Sequence, residues 1–172
     1  MLGTGDALHP LWLKELKENL EEIPGTGFYK AKNSRVELMF VVQTEVGTIH
    51  EVDGKARRIH HVILMPSIEI AEQAIDVLSK YGDLNIDGRP IFTMHPAELV
   101  EILLEIDKKI FIFPAHAWTP WWSLFGSIGG VDRLEDCYGD KSHEIKALET
   151  GLSSDPEMNW RVSALDLSLI HI

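Results

Sequence analysis

Four side chains able to bind metal or move protons stand where apolar or β-prone runs end. Asp6 follows a Gly-Thr-Gly turn, Glu45 falls near the end of the branched segment 36–46, His116 follows Ile110-Phe111-Ile112-Phe113-Pro114-Ala115, and Glu149 follows 145–148. In parallel α/β folds the carboxyl ends of strands are where sites are assembled. Each residue also has a plain structural account. Asp6 can cap a helix, and Glu45 and Glu149 can be solvated strand ends. His116 can be a satisfied core histidine, although an imidazole between an apolar strand and a tryptophan-rich segment is costly to bury unless paired or metal-bound. His60 and His61 are adjacent in a strand-like run, so they point to opposite faces and at most one serves a given site. His50, His95 and His143 read as surface residues. Trp118, Trp121 and Trp122 suit core or interface packing as well as base stacking.

The lone Cys137 excludes an internal disulfide or a thiolate zinc knuckle, which leaves imidazole and carboxylate donors. That donor set suits zinc, manganese or iron, and close pairs of such ions activate water and clamp the oxygens of a phosphoester.

The elements that must position these groups follow from spacing. Pro10 starts an amphipathic helix over 10–22, with Trp12, Leu13, Leu16 and Leu20 on one side, ended by Pro24-Gly25. Residues 36–46 and 59–65 read as strands, separated by a polar stretch with Asp53-Gly54 and the cations Lys55, Arg57 and Arg58. Pro66-Ser67 opens a second helix and Pro96 a third, whose stripe is Leu99, Ile102, Leu103 and Ile106. Strands are expected at 110–113 and 145–148. Strands alternating with helices of this length imply right-handed crossovers and mostly parallel pairing, in an open sheet or a barrel.

At 172 residues the chain suits one domain and falls short of the roughly 250 of a complete (β/α)8 barrel. No apolar run reaches the roughly 20 residues of a membrane span, and no signal peptide opens the chain, so a cytoplasmic location is expected. Sixteen Lys and Arg against 27 Asp and Glu give a net charge of −11, which argues against a simple nucleic-acid binder. It does not exclude an enzyme on phosphate esters, because bound cations invert the local field.

The segments GTGDALHP, TEV, RRIHHVILMP, IFPAHAWTPWWSLFG, DRLEDCYGD and ALETGLSSDPEMNWR together resemble the endonuclease Q family of the PHP (polymerase and histidinol phosphatase) superfamily. PAHAWTPW and ALETGLSSDPEMNWR are the specific ones. The resemblance implies a partial, distorted (β/α)7 TIM-like barrel of the PHP type over residues 1–166, with mostly parallel strands. It implies two or three divalent ions, zinc or manganese, and an endonuclease of base-damage repair that cuts DNA 5′ of deaminated bases (uracil, hypoxanthine) or of abasic sites. A metal-activated water, with no protein nucleophile, would do this chemistry. By position it implies Asp6, Glu45, His61 and His116 as metal ligands, His61 being preferred to His60 on resemblance alone. His9 is implied as a phosphate-contacting or supporting group, and Trp118 and Trp121 are candidates for the walls of a pocket receiving an extruded base. Lys55, Arg57 and Arg58 either reach a neighbouring phosphate or form a solvated hairpin tip.

The family's opening His-x-His and closing Asp-x-His motifs do not occur in the chain, so it is expected to be a fragment. Residues 167–172, LSLIHI, read as a non-native tail in which His171 has no role. Two other functions fit the residues: a phosphoesterase of the same superfamily on a small monoester, for which the negative charge is more natural, and a non-catalytic module binding a partner through its tryptophans.

Overall fold

A computed structural model of the chain describes residues 1–52, 54–86, 88–151 and 154–161. Asp53, His171 and the tail 167–172 lie outside the described residues. The elements are β1 (Leu2–Gly3), α1 (Pro10–Asn19), β2 (Leu20–Ile23), β3 (Phe28–Ala31), β4 (Met39–Val52), β5 (Lys55–Met65), α2 (Ile68–Leu78), β6 (Ile91–Phe92), α3 (Pro96–Ile106), β7 (Phe111–Pro114), α4 (Leu134–Tyr138), a 3-10 turn (Gly139–Glu144) and α5 (Pro156–Trp160). Two compact units result, and the long strands β4 and β5 each contribute to both.

The first unit comprises Met1–Glu45, Ile63–Pro90 and Leu103–Phe111. Pro10 starts α1 as its spacing predicts, but the helix stops at Asn19 because Leu20–Ile23 pairs antiparallel with Phe28–Ala31, overriding helical propensity. Strand β3 pairs antiparallel with β4 (Tyr29 opposite Phe40), while the short β1 joins β4 in parallel (Leu2 opposite Phe40). The Ser67 side chain caps α2 by accepting from the Ile70 amide at 3.3 Å. Leu13 and Leu16 of α1 and Ile68, Ala71, Ala74 and Leu78 of α2 are buried, and the Tyr29 hydroxyl accepts from the Ile68 amide at 3.1 Å.

The second unit comprises Val46–Val62, Ile91–Ile102 and the chain from Ile112 onward. Here β6 joins β4 in parallel, Gly47 opposite Ile91. Leu99 and Val100 of α3, Ile112 of β7, Leu124, Cys137 and Tyr138 are buried. Residues 145–148 are not a strand, although Glu149 donates its amide to the Pro114 carbonyl at 3.0 Å and accepts from the Ala117 amide at 2.8 Å, which anchors them beside the end of β7.

The expected partial (β/α)7 TIM-like barrel with mostly parallel strands is not what forms. The sheet runs in the order β2-β3-β4-β5-β7 and is not closed; its β2–β3 and β3–β4 ladders are antiparallel, and the two-residue strands β1 and β6 join β4 in parallel. The reason is covalent. Only two residues separate Val52, the end of β4, from Lys55, the start of β5, which leaves no room for the crossover helix that a parallel connection needs. Among the described residues no helix is long and apolar enough to cross a membrane.

Candidate metal centre

Strand alternation sends His60 and His61 of β5 to opposite sides, and their surroundings could hardly differ more. His61 is fully buried, with Nε2 2.8 Å from the Thr48 hydroxyl and Nδ1 2.9 Å from the Tyr138 hydroxyl. Burial, aided by the nearby imidazoles of His60 and His50, pushes its pKa down to about 3, so it is a neutral core residue. His60 is half-buried, and its Nδ1 faces His116 Nε2 at 3.1 Å.

His116 follows β7 at φ +30°, a left-handed conformation uncommon outside glycine. Glu149 holds it there: one carboxylate oxygen accepts the His116 amide at 2.8 Å and stands 3.7 Å from the ring Nδ1. That side leaves Nε2 directed toward His60. Glu45 is the last residue of the first unit, and β4 runs on from it without interruption into Val46. Its carboxylate is paired with Arg89 (Nε to Oε1, 2.7 Å). One ligand atom each from Glu45, His60 and His116 lies within 4.8 Å of the others, so the three could hold a metal ion. Two imidazole nitrogens and a carboxylate oxygen are a donor set used for zinc, manganese and non-haem iron.

Of the four ligands the resemblance implies, Glu45 and His116 come together. His61 does not join them, and its neighbour His60 stands in that place. Asp6 is exposed at φ +41° in the turn after β1 and lies outside the cluster. With the half-buried His9 it lines an open cleft of about 470 Å³ in the first unit, shared with Trp12, Ile86 and Gly88. Trp118 donates its indole N–H to the Asn159 side chain at 2.6 Å and packs on Phe125, whereas Trp121 is 57% exposed. Trp122 is stacked on His60, at 4.8 Å with 16° between planes. Nothing in the spacing distinguishes Trp122 from its neighbours Trp118 and Trp121. Arg57 donates to the Gly130 carbonyl and Arg58 offers its amide to Gly129, so these residues tie down a loop of the second unit.

Two histidines expected at the surface are not there. His50 is buried in β4 with its ring 4.7 Å from that of His95, and burial, His95 and Arg57 lower its pKa to about 4. The half-buried His95 accepts the Ala97 amide at Nδ1, at the start of α3.

No protein-family model matches the chain. It is 34% identical over 148 residues to an uncharacterized protein of Methanocaldococcus jannaschii, an alignment that takes in 84% of this chain and 16% of that protein. The crystal structure of the lesion-specific endonuclease PfuEndoQ from Pyrococcus furiosus superposes with a TM-score of 0.73 at 32% identity, over 91% of this chain and 35% of that one. An endonuclease Q structure in complex with duplex DNA bearing an abasic lesion at the active site gives 0.76 at 32% identity, over 95% and 37%. The chain thus spans little more than a third of these structures. Over that span the chain is similar in fold to the endonuclease Q structures, with about a third of the aligned residues identical.

Proposed function

We propose that the chain carries part of the metal centre of a lesion-specific DNA endonuclease of the PHP type, which cuts the backbone beside deaminated bases or abasic sites. The observation that carries this reading is the convergence of Glu45, His60 and His116 in a chain whose fold matches endonuclease Q structures. Divalent ions, zinc or manganese, would supply Lewis-acid activation of water and neutralise charge on the phosphodiester. Glu45, His60 and His116 would hold an ion. Glu149 accepts the His116 backbone amide at 2.8 Å and stands 3.7 Å from the ring Nδ1, while Nε2 is the nitrogen that faces His60. Arg89, half-exposed beside Glu45, balances that carboxylate and is placed to meet an incoming phosphate. Asp6 and His9 would add acid and imidazole groups from their own cleft, and Trp118 and Trp121 remain candidates for contact with an extruded base.

The test is cleavage in the presence of manganese or zinc, using a duplex with one abasic site, the same duplex undamaged, and a sugar phosphate. Cutting of the damaged duplex alone is expected, lost in His116→Ala. A second reading is favoured by the net charge of −11, which disfavours a polyanion: a phosphoesterase on a small monoester. Turnover of the sugar phosphate alone would select it.

A further inference from the structure

We infer that Trp122 and Gly47 form a clamp that positions His60 for metal binding, an inference that rests on the metal-centre reading above. A ring stack, the backbone bonds of His60 and the space left by Gly47 define it. The Trp122 indole lies nearly parallel to the His60 ring, at 4.8 Å and 16°. The Trp122 carbonyl accepts the His60 amide at 3.0 Å, while the His60 carbonyl accepts the Ala115 amide at 2.9 Å, so both backbone groups of His60 are engaged. On β4, Gly47 leaves open the space beside both rings: a Cβ there would stand 3.1 Å from Trp122 Cζ3 and 3.3 Å from His60 Cδ2. Such separations are tight enough that one ring would have to move.

The physical need is clear from the torsions. A histidine ring turns about a broad χ2, so the strand alone does not fix the plane of the ring. Stacking on Trp122 sets that plane, and within it the Nδ1 contact with His116 Nε2, at 3.1 Å, is made. Trp122 itself sits at φ +55°, a conformation costing of order 1–3 kcal/mol for a non-glycine residue and persisting only where surrounding contacts hold it. Indole and imidazole faces attract in offset stacks, which makes the clamp selective for an aromatic at 122. Trp122 is therefore a positioning residue, acting on the ion only through His60.

The experiment is cobalt(II) titration of the 172-residue chain followed by visible d–d absorption, a readout of ligand set independent of activity. Trp122→Leu is expected to weaken Co²⁺ binding at least tenfold and to give the spectrum of His60→Ala. Trp122→Phe should restore the wild-type spectrum. Gly47→Ala, which crowds the rings without removing them, should weaken binding and alter the spectrum, and it stands in if Trp122→Leu does not fold. Wild-type affinity and spectrum in either folded variant, Trp122→Leu or Gly47→Ala, overturns the clamp while the metal centre stands. A His60→Ala variant that binds Co²⁺ unchanged overturns both.

Discussion

His60 and His61 are neighbours in one strand, yet one face of β5 is closed chemistry and the other open. On the closed face His61 has both ring nitrogens satisfied by Thr48 and Tyr138 and no contact with solvent. On the open face the His60 ring keeps some exposure, lies against Trp122 and meets a second imidazole. Residue type therefore says little about role. A histidine whose hydrogen bonds are completed inside the core specifies packing, and one aimed at other donors is available to an ion.

The comparison breaks most simply by exchanging the two losses. His61→Ala leaves a cavity and strips the Thr48 and Tyr138 hydroxyls of a buried partner, so it is expected to cost about 3 kcal/mol of stability in urea unfolding. His60→Ala removes a half-buried stacked ring, so it should cost only about 1 kcal/mol while weakening metal binding more than tenfold. Equal destabilisation by the two would erase the distinction.

A second prediction sharpens it with pH, through the other buried histidine, His50. Its folded pKa of about 4 lies below the ordinary value of 6.5, so the unfolded chain takes up a proton that the folded chain refuses. Its contribution is complete above pH 6.5 and declines as pH falls toward 4, by on the order of 2 kcal/mol. Urea midpoints across that interval should fall less steeply in His50→Phe. The smallest effect concerns the open face. Arg89 competes with any ion for Glu45, but its half-exposed side chain is screened by water. Arg89→Ala should therefore tighten manganese binding by a few-fold, measured by calorimetry, while weakening binding of a phosphodiester.

Much of this arrangement is legible in the residues themselves. Pro10, Ser67 and Pro96 mark helix starts that the fold keeps, and Ile110–Phe113 nearly coincides with β7, because caps, proline and apolar spacing act locally. His116 is legible by its position just after β7, whereas Glu45, expected at a strand end, lies in the middle of β4, which runs on to Val52. The pairing direction differs from the expectation although the sequence carries a signal for it: Asp-Gly between two β-prone runs favours a hairpin, which competes with the alternation of helices and strands that suggests parallel pairing. Choosing between His60 and His61 was beyond local pattern. Alternation says that the faces differ, but which face meets Thr48 and Tyr138 depends on pairing and on a residue 77 positions away. The exposed turn of Asp6 and the left-handed backbone of Trp122 are likewise tertiary outcomes.

The most direct test of the central claim is anomalous diffraction at the zinc edge from crystals of the chain grown with zinc. A peak about 2.0–2.2 Å from a Glu45 oxygen and from ring nitrogens of His60 and His116 is the predicted result. An ordered zinc bound elsewhere, with those three side chains free of it, would contradict the account.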